Sequence, residues 1–349
     1  MKTCQRSLIA VVAIITISFI SCSGDKNSLE DVTLQGAGAT FPAPLYQKWF
    51  KIYSESHDGV QVGYQSIGSG GGVKNVIDRT VDFGASDAAM SPAEIAKVEG
   101  GVQLLPITAG CIVLAYNLQG VTGLKLSRAA YAGIFLGKVT KWSDPLITKD
   151  NPGLSLPDAP INVIVRSDGS GTTYVFTQHL SAISPGFAQS PGTNKLPNWP
   201  TGTKSKGNEG VSASIMMTPG SIGYIEYGFA KTQDMPMALL ENKSGNFVAA
   251  STATVQAALA TAKFTENLIA WVPDPDAKDA YPIATYTWLI CYRQYKDKMK
   301  LQLLKSVLNY CVNDGQKESE ALGYVPLPPT VVDKDKAAIQ AITLAPNAT

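Results

Sequence analysis

Short apolar runs alternate with stretches of helical periodicity along most of this chain, and that alternation restricts its fold more than any other feature. Strand patterns fall at 60–64, 81–85, 112–116, 161–166 and 286–292. Between them, Leu45, Trp49, Ile52 and Tyr53 recur at helical spacing after Pro42, and Val73, Val76, Ile77 and Thr80 mark a short helix after the glycines at 70–72. Phe176, Leu180 and Ile183 mark a third helix that begins near Thr172. A last one runs over about 299–312 and stops at Asn313-Asp314-Gly315. Strands and helices in alternation predict an α/β protein. At roughly 150 residues per domain, 349 residues make room for two.

Composition removes several classes of function. Only 16% of the residues are charged, and 29 basic against 28 acidic side chains give no basic footprint for nucleic acid. Two histidines, His57 and His179, rule out multi-histidine metal sites and H-E-x-x-H chemistry; no metal and no cofactor is expected. At the N-terminus, Lys2 and Arg6 precede an apolar run from Leu8 to Ile20, broken only by Thr16 and Ser18. The run is short of the ~20 residues of a spanning helix, and it ends in small residues, as a cleaved export signal over 1–21 would. Phe19-Ile20-Ser21-Cys22 resembles a lipobox, which makes Cys22 the candidate lipidation site and residues 22–31 a polar tether. Phe19 and Ile20 depart from that pattern, and ordinary cleavage nearby is the alternative. Loss of residues 1–21 removes Lys2 and Arg6 and no acid, so the net charge moves from +1 to −1. Cys111, Cys291 and Cys311 then remain: one pair bonds in an oxidising compartment, or all three are buried as small apolar residues.

Three loops share one grammar. Gly36-Ala37-Gly38-Ala39-Thr40-Phe41, Gly68-Ser69-Gly70-Gly71-Gly72 and Ser167-Asp168-Gly169-Ser170-Gly171-Thr172 each lead into a helix. Each puts small or hydroxyl residues where a helix exposes unpaired N–H groups and the positive end of its dipole. One such loop is ordinarily a cap or a turn; three in one chain point to an oxyanion ligand. Dinucleotide binding is excluded because Phe41, Val73 and Tyr174 stand where the third glycine is required. A P-loop is excluded by Asn208 in the lysine position after Gly207, and no G-x-S-x-G elbow surrounds Ser69 or Ser170.

Arg166 supplies a permanent charge able to grip an oxyanion with two donors. Asp168 either steadies that guanidinium or simply shapes the turn before Gly169. Asp87, a carboxylate beside an anion site, makes sense if the ligand carries a proton. Orthophosphate keeps at least one P–OH near neutral pH, which an ionised aspartate accepts, whereas sulfate would face it lone pair against lone pair.

With these segments in view, the chain resembles the phosphate-binding protein of the bacterial phosphate-specific (Pst) ABC transporter. The match rests on Gly36 to Pro44, Asp82 to Asp87 and Arg166 to Thr172. It extends to Leu136-Gly137-Lys138, Lys141-Trp142, Lys206-Gly207-Asn208-Glu209-Gly210 and Ile222-Gly223-Tyr224-Ile225-Glu226-Tyr227. The resemblance implies a two-lobed, type II periplasmic binding protein (a Venus flytrap) whose chain crosses the hinge twice. Lobe one would be 30–113 plus 284–349 and lobe two 114–283. It further implies that Thr40, Phe41, Ser69 and Asp87 hold phosphate from lobe one, and Arg166, Ser170, Gly171 and Thr172 from lobe two, with Asp168 orienting Arg166. Gly70 departs from many relatives, which carry a second serine there. The implied partners are inorganic phosphate and the permease subunits of the transporter, the implied place is the cell envelope, and membrane contact is through a lipid anchor only. A monomer that is not an enzyme is expected. Arsenate as ligand, and a phosphate-ester hydrolase using Ser69 or Ser170, are the alternatives.

Overall fold

The computed structural model describes residues 32–346. The expected signal and tether, with Cys22, lie outside the described residues. Among the described residues, an eight-stranded sheet runs in the order Gln61–Ser66, Thr33–Gly38, Phe83–Ser86, Ala284–Tyr292, Val102–Asn117, Ser221–Glu226, Asn162–Arg166, Thr203–Ser205. The first three strands are mutually parallel, and so are the last three. Each trio is a half-sheet of its own lobe, and the two antiparallel central strands join them.

The strand Val102–Asn117 belongs to both halves. Val102 to Cys111 pair with Ala284–Tyr292, and from Ile112 onward the partner is Ser221–Glu226. The sequence pattern began this strand only at residue 112, because Pro106 and Gly110 interrupt it. Pro106 lacks an N–H, and the ladder accommodates it with a register shift between Thr287 and Trp288 on the facing strand. Strand pairing thus runs unbroken past a proline that reads as a stop.

Glycines 70–72 are a second departure from expectation. They do not precede the second helix; they form its first turn, over Ser69–Ile77. Glycine is a poor helix former, but here packing decides. A Cβ on Gly72 would lie 2.6 Å from Ala85 O and from Gly38 Cα, so only glycine lets this helix sit on the strands beneath it. The other expected helices are Ala43–Glu55, Gly171–Ile183 and Lys298–Val312. Gly207–Met217 and Pro329–Ala341 are among those the pattern did not reveal.

Trp49, Trp142 and Trp288 are fully buried in the apolar core. Cys111, Cys291 and Cys311 are buried free thiols, so the expectation of a bonded pair gives way to the packing alternative. None of the described helices is long and apolar enough to cross a membrane.

Candidate functional site

Chain direction explains where a site forms. In a parallel half-sheet every strand delivers its following loop to the same edge, where ligands of open α/β sheets bind. Thr33–Gly38, Gln61–Ser66 and Phe83–Ser86 deliver Thr40, Ser69 and Asp87 to one such edge. Asn162–Arg166 and Thr203–Ser205 deliver Arg166 to Thr172 and Asn208 to the edge that faces it. All seven of Thr40, Phe41, Ser69, Asp87, Arg166, Ser170 and Thr172 are at most 2% exposed.

Arg166 closes strand Asn162–Arg166 with its guanidinium inside the protein. Nε donates to Asp168 Oδ1 at 2.8 Å, Nη2 to Asp168 Oδ2, and Nη1 to the Thr172 hydroxyl at 3.4 Å. A bidentate pair of this kind fixes the plane of the fork. Burial pushes the Asp168 carboxyl up, but the Arg166 partner and the Gly207 amide outweigh it, and the net displacement is downward. Asp168 therefore stays ionised and holds Arg166 in place.

The helix Gly171–Ile183 begins beside this pair. Ser170 caps it, its oxygen accepting the Thr173 N–H at 3.0 Å, which leaves the hydroxyl proton for a further acceptor. Gly171 occupies the first helical position, where the backbone N–H has no partner within the helix. A Cβ there would come within 2.4 Å of Ser69 Oγ and 2.7 Å of Asp87 Cβ. Only glycine lets the two edges meet this closely. The Gly70 N–H donates across the gap to Gly169 O at 2.7 Å, and Lys195 Nζ pairs with Glu94 Oε1 at 2.9 Å. The two halves are in contact, and the site is closed.

Asp87 faces these donors from the other half. Its Oδ1 accepts the Thr287 hydroxyl at 2.8 Å, and Oδ2 lies 3.4 Å from Ser69 Oγ. Burial raises its pKa from 3.8 to about 7, against the Thr287 hydroxyl, the Arg166 charge, Ser69 and the Thr172 amide. Desolvation wins because all four of those partners together replace only part of a carboxylate's hydration. Asp87 is thus a group that holds or releases a proton near neutrality.

Comparison with known proteins agrees with this architecture over most of the chain. Residues 24–314 match the model of the PBP superfamily domain. The phosphate-binding protein PstS of Pasteurella multocida is 39% identical over 310 residues, spanning 87% of this chain and 89% of that one. PstS of Methanocaldococcus jannaschii is 36% identical, with 90% and 89% covered. The chain belongs to the PstS family. Among solved structures, the phosphate-binding protein of Stenotrophomonas maltophilia superposes with a TM-score of 0.70 at 22% identity, covering 88% of this chain and 93% of that one. A high-affinity periplasmic phosphate-binding protein solved with phosphate gives 0.71, also at 22% identity and with the same coverage. At that identity these two speak for the fold, a two-lobed type II periplasmic binding protein.

This PstS-family chain also brings residues to the site that the sequence pattern did not single out. Thr287 reaches Asp87 from a strand 200 positions away. Asn208 enters the sequence reading as a non-lysine in a failed P-loop and as part of the matching segment 206–210, with no ligand role; its Nδ2 donates to Thr40 Oγ1 at 2.8 Å and to Thr172 Oγ1 at 3.2 Å. Gly207 before it takes φ +71°, a backbone turn that marks another loop-to-helix junction and was the available signal. The two histidines lie elsewhere. His57 stacks on Tyr53, and both ring nitrogens of His179 are engaged, by Tyr131 and by the Pro273 carbonyl.

Proposed function

We propose that the closed site takes one inorganic phosphate and that the protein delivers it to the permease of a phosphate-specific ABC transporter for import. The observation that carries this reading is the meeting of many donors with one proton-reading carboxylate. Arg166, the hydroxyls of Thr40, Ser69, Ser170 and Thr172, and the N–H groups of Phe41 and Gly171 offer hydrogens to an oxyanion. Asp87 receives the hydrogen of a P–OH. Each charge-assisted bond is worth about 1.5–3 kcal/mol net, and several of them reach a Kd of ~1 μM or below after the cost of closure.

Two lobes, 30–113 with 284–349 and 114–283, each contribute ligands. Phosphate therefore favours the closed arrangement and shifts the population toward it. The family's role as transport binding proteins supports a carrier rather than a hydrolase. So does the engagement of Ser170 Oγ as a helix cap and of Ser69 Oγ with Asp87, neither with a histidine base at hand. Export through residues 1–21 and a lipid on Cys22 would hold the protein as a monomer on the outer side of a membrane in the cell envelope.

Calorimetric titration of the phosphate-stripped protein with phosphate and then sulfate tests the reading. One-to-one phosphate binding with sulfate excluded by about 10⁴ is expected, the scale set when a buried polar partner is left unpaired. Equal binding of both anions would refute the role given to Asp87, and no binding of either would refute the function.

A further inference from the structure

Asn208 stands where threonine hydroxyls from both halves of the site share one donor. Its side-chain amide is oriented without ambiguity: the Glu226 backbone N–H, which can only donate, points at Oδ1 from 3.0 Å. The NH₂ end therefore faces the two threonines. Thr40 Oγ1 receives that NH₂ at 2.8 Å and the Asn208 backbone N–H at 3.1 Å. Thr172 Oγ1 receives the same NH₂ at 3.2 Å and Arg166 Nη1 at 3.4 Å.

A hydroxyl has two lone pairs and one hydrogen. In both threonines the lone pairs are taken by donors that cannot reverse, so the remaining hydrogen must be given elsewhere. We infer that Asn208 is the positioning residue that sets the polarity of the site, locking the Thr40 and Thr172 hydroxyls as donors toward the anion from opposite lobes. The inference rests on the phosphate reading above and adds to it a reason for the discrimination. With both hydroxyls unable to accept, a ligand cannot place a proton against either of them, and the place left for its proton is Asp87. Because Thr40 lies in one half and Asn208 in the other, the polarity of Thr40 is set only when the cleft shuts, whereas Thr172 shares a half with both of its donors. A half-closed site would leave the Thr40 hydroxyl free to rotate.

Asn208→Asp tests this at nearly constant volume. An aspartate keeps the acceptor for the Glu226 N–H but turns the other end into an acceptor, so both hydroxyls swing round to donate to it. Phosphate then loses two donors, and the expected loss of affinity is at least about 100-fold, against roughly tenfold for Asn208→Ala, which frees the hydroxyls without reversing them. A protonated aspartate donates again, so the Asn208→Asp deficit relative to wild type should shrink at least about tenfold between pH 8 and pH 5, while that of Asn208→Ala stays constant. A second measurement does not depend on the aspartate variant folding. In a double-mutant cycle with Thr40→Val, Asn208→Ala should weaken phosphate far less than it does in wild type, because there is one hydroxyl fewer to orient. Equal losses for the two variants, a gap between them that does not change with pH, or additive effects in the cycle, would overturn the inference while leaving phosphate binding intact. Failure of the wild-type protein to take up phosphate would overturn the functional reading and this inference with it.

Discussion

Asp87→Asn exchanges an acceptor for a donor in the middle of the site with almost no change in volume. With the Thr287 hydroxyl, 2.8 Å from Oδ1, still donating to the amide oxygen of the asparagine, the NH₂ takes the place of Oδ2 beside Ser69. Phosphate loses the acceptor for its P–OH, a bond worth roughly 1.5–3 kcal/mol, and binds about 10- to 150-fold more weakly. Sulfate exchanges an opposed lone pair for a donor, so the ~10⁴ preference of the wild type should fall to within about 100-fold. A second signature needs no ligand. Burial raises the folded-state pKa of Asp87 from 3.8 to about 7, so the fold disfavours its ionised form. That cost is absent below the unfolded value, grows as pH rises, and is complete above the folded one. At pH 8 it reaches at most about 4 kcal/mol. The asparagine removes it, so the phosphate-free variant should melt higher than wild type at pH 8 and gain less than half as much at pH 5. Calorimetry with both anions and scanning calorimetry at both pH values read the two signatures. A variant that excludes sulfate as strongly as the wild type does would refute the proton-reading argument, and an equal gain in melting temperature at both pH values would refute the account of burial.

Wild-type binding of sulfate should depend on pH, because an Asp87 that carries its own proton can donate it. Sulfate affinity should rise as pH falls from 9 toward 5, measured by competition against phosphate. Arg166→Lys replaces a planar fork locked on Asp168 with a point charge, and phosphate affinity should drop about 100-fold by calorimetry. Lys195→Ala removes the partly exposed ion pair with Glu94 that joins the halves; worth about 0.5–1 kcal/mol, it should speed phosphate release roughly two- to fivefold in stopped flow and leave association unchanged. Burial lowers the pKa of His179 from 6.5 to about 4 against the pull of the Pro273 carbonyl, so the fold favours the neutral ring. Stability should therefore be lost as pH falls from about 6.5 toward 4, by at most about 3 kcal/mol, and His179→Gln should flatten that limb of the melting-temperature profile.

How far the sequence could be read follows from the distances that separate interacting residues along it. Arg166, Asp168, Ser170 and Thr172 are neighbours in one loop, so their joint chemistry is written in a single segment, as is the cradle at Thr40 and Phe41. The alternation of strands and helices carried the α/β class for the same local reason. The long central strand was only half visible, because Pro106 looks like a stop until the bulge beside it, which leaves Ile107 without a partner in the ladder, is known. The triple glycine looked like a loop because propensity speaks against it, and the close approach of Gly72 to Ala85 and Gly38 is a tertiary fact. The roles of Thr287 and Asn208 were not legible, although the segment around Asn208 was. One acts on a residue 200 positions away and the other on one 168 positions away, separations that no local pattern encodes.

Those two remote residues change what the local motifs mean. A loop of hydroxyls and a carboxylate read from sequence is ambiguous, since every hydroxyl is both donor and acceptor and a buried acid can carry its proton. Asn208 and Arg166 remove the first ambiguity by filling the lone pairs of Thr40 and Thr172. Thr287 removes part of the second, since its hydroxyl claims one oxygen of Asp87 and leaves the other to meet the anion. Glu226, the other carboxyl buried nearby, is drawn off by the Gly228 N–H at 2.8 Å, while its own backbone N–H fixes Asn208. Specificity then follows from hydrogen count. Donors that cannot turn round surround an acid poised near neutrality, and a tetrahedral anion is sorted by whether it brings a proton to that acid.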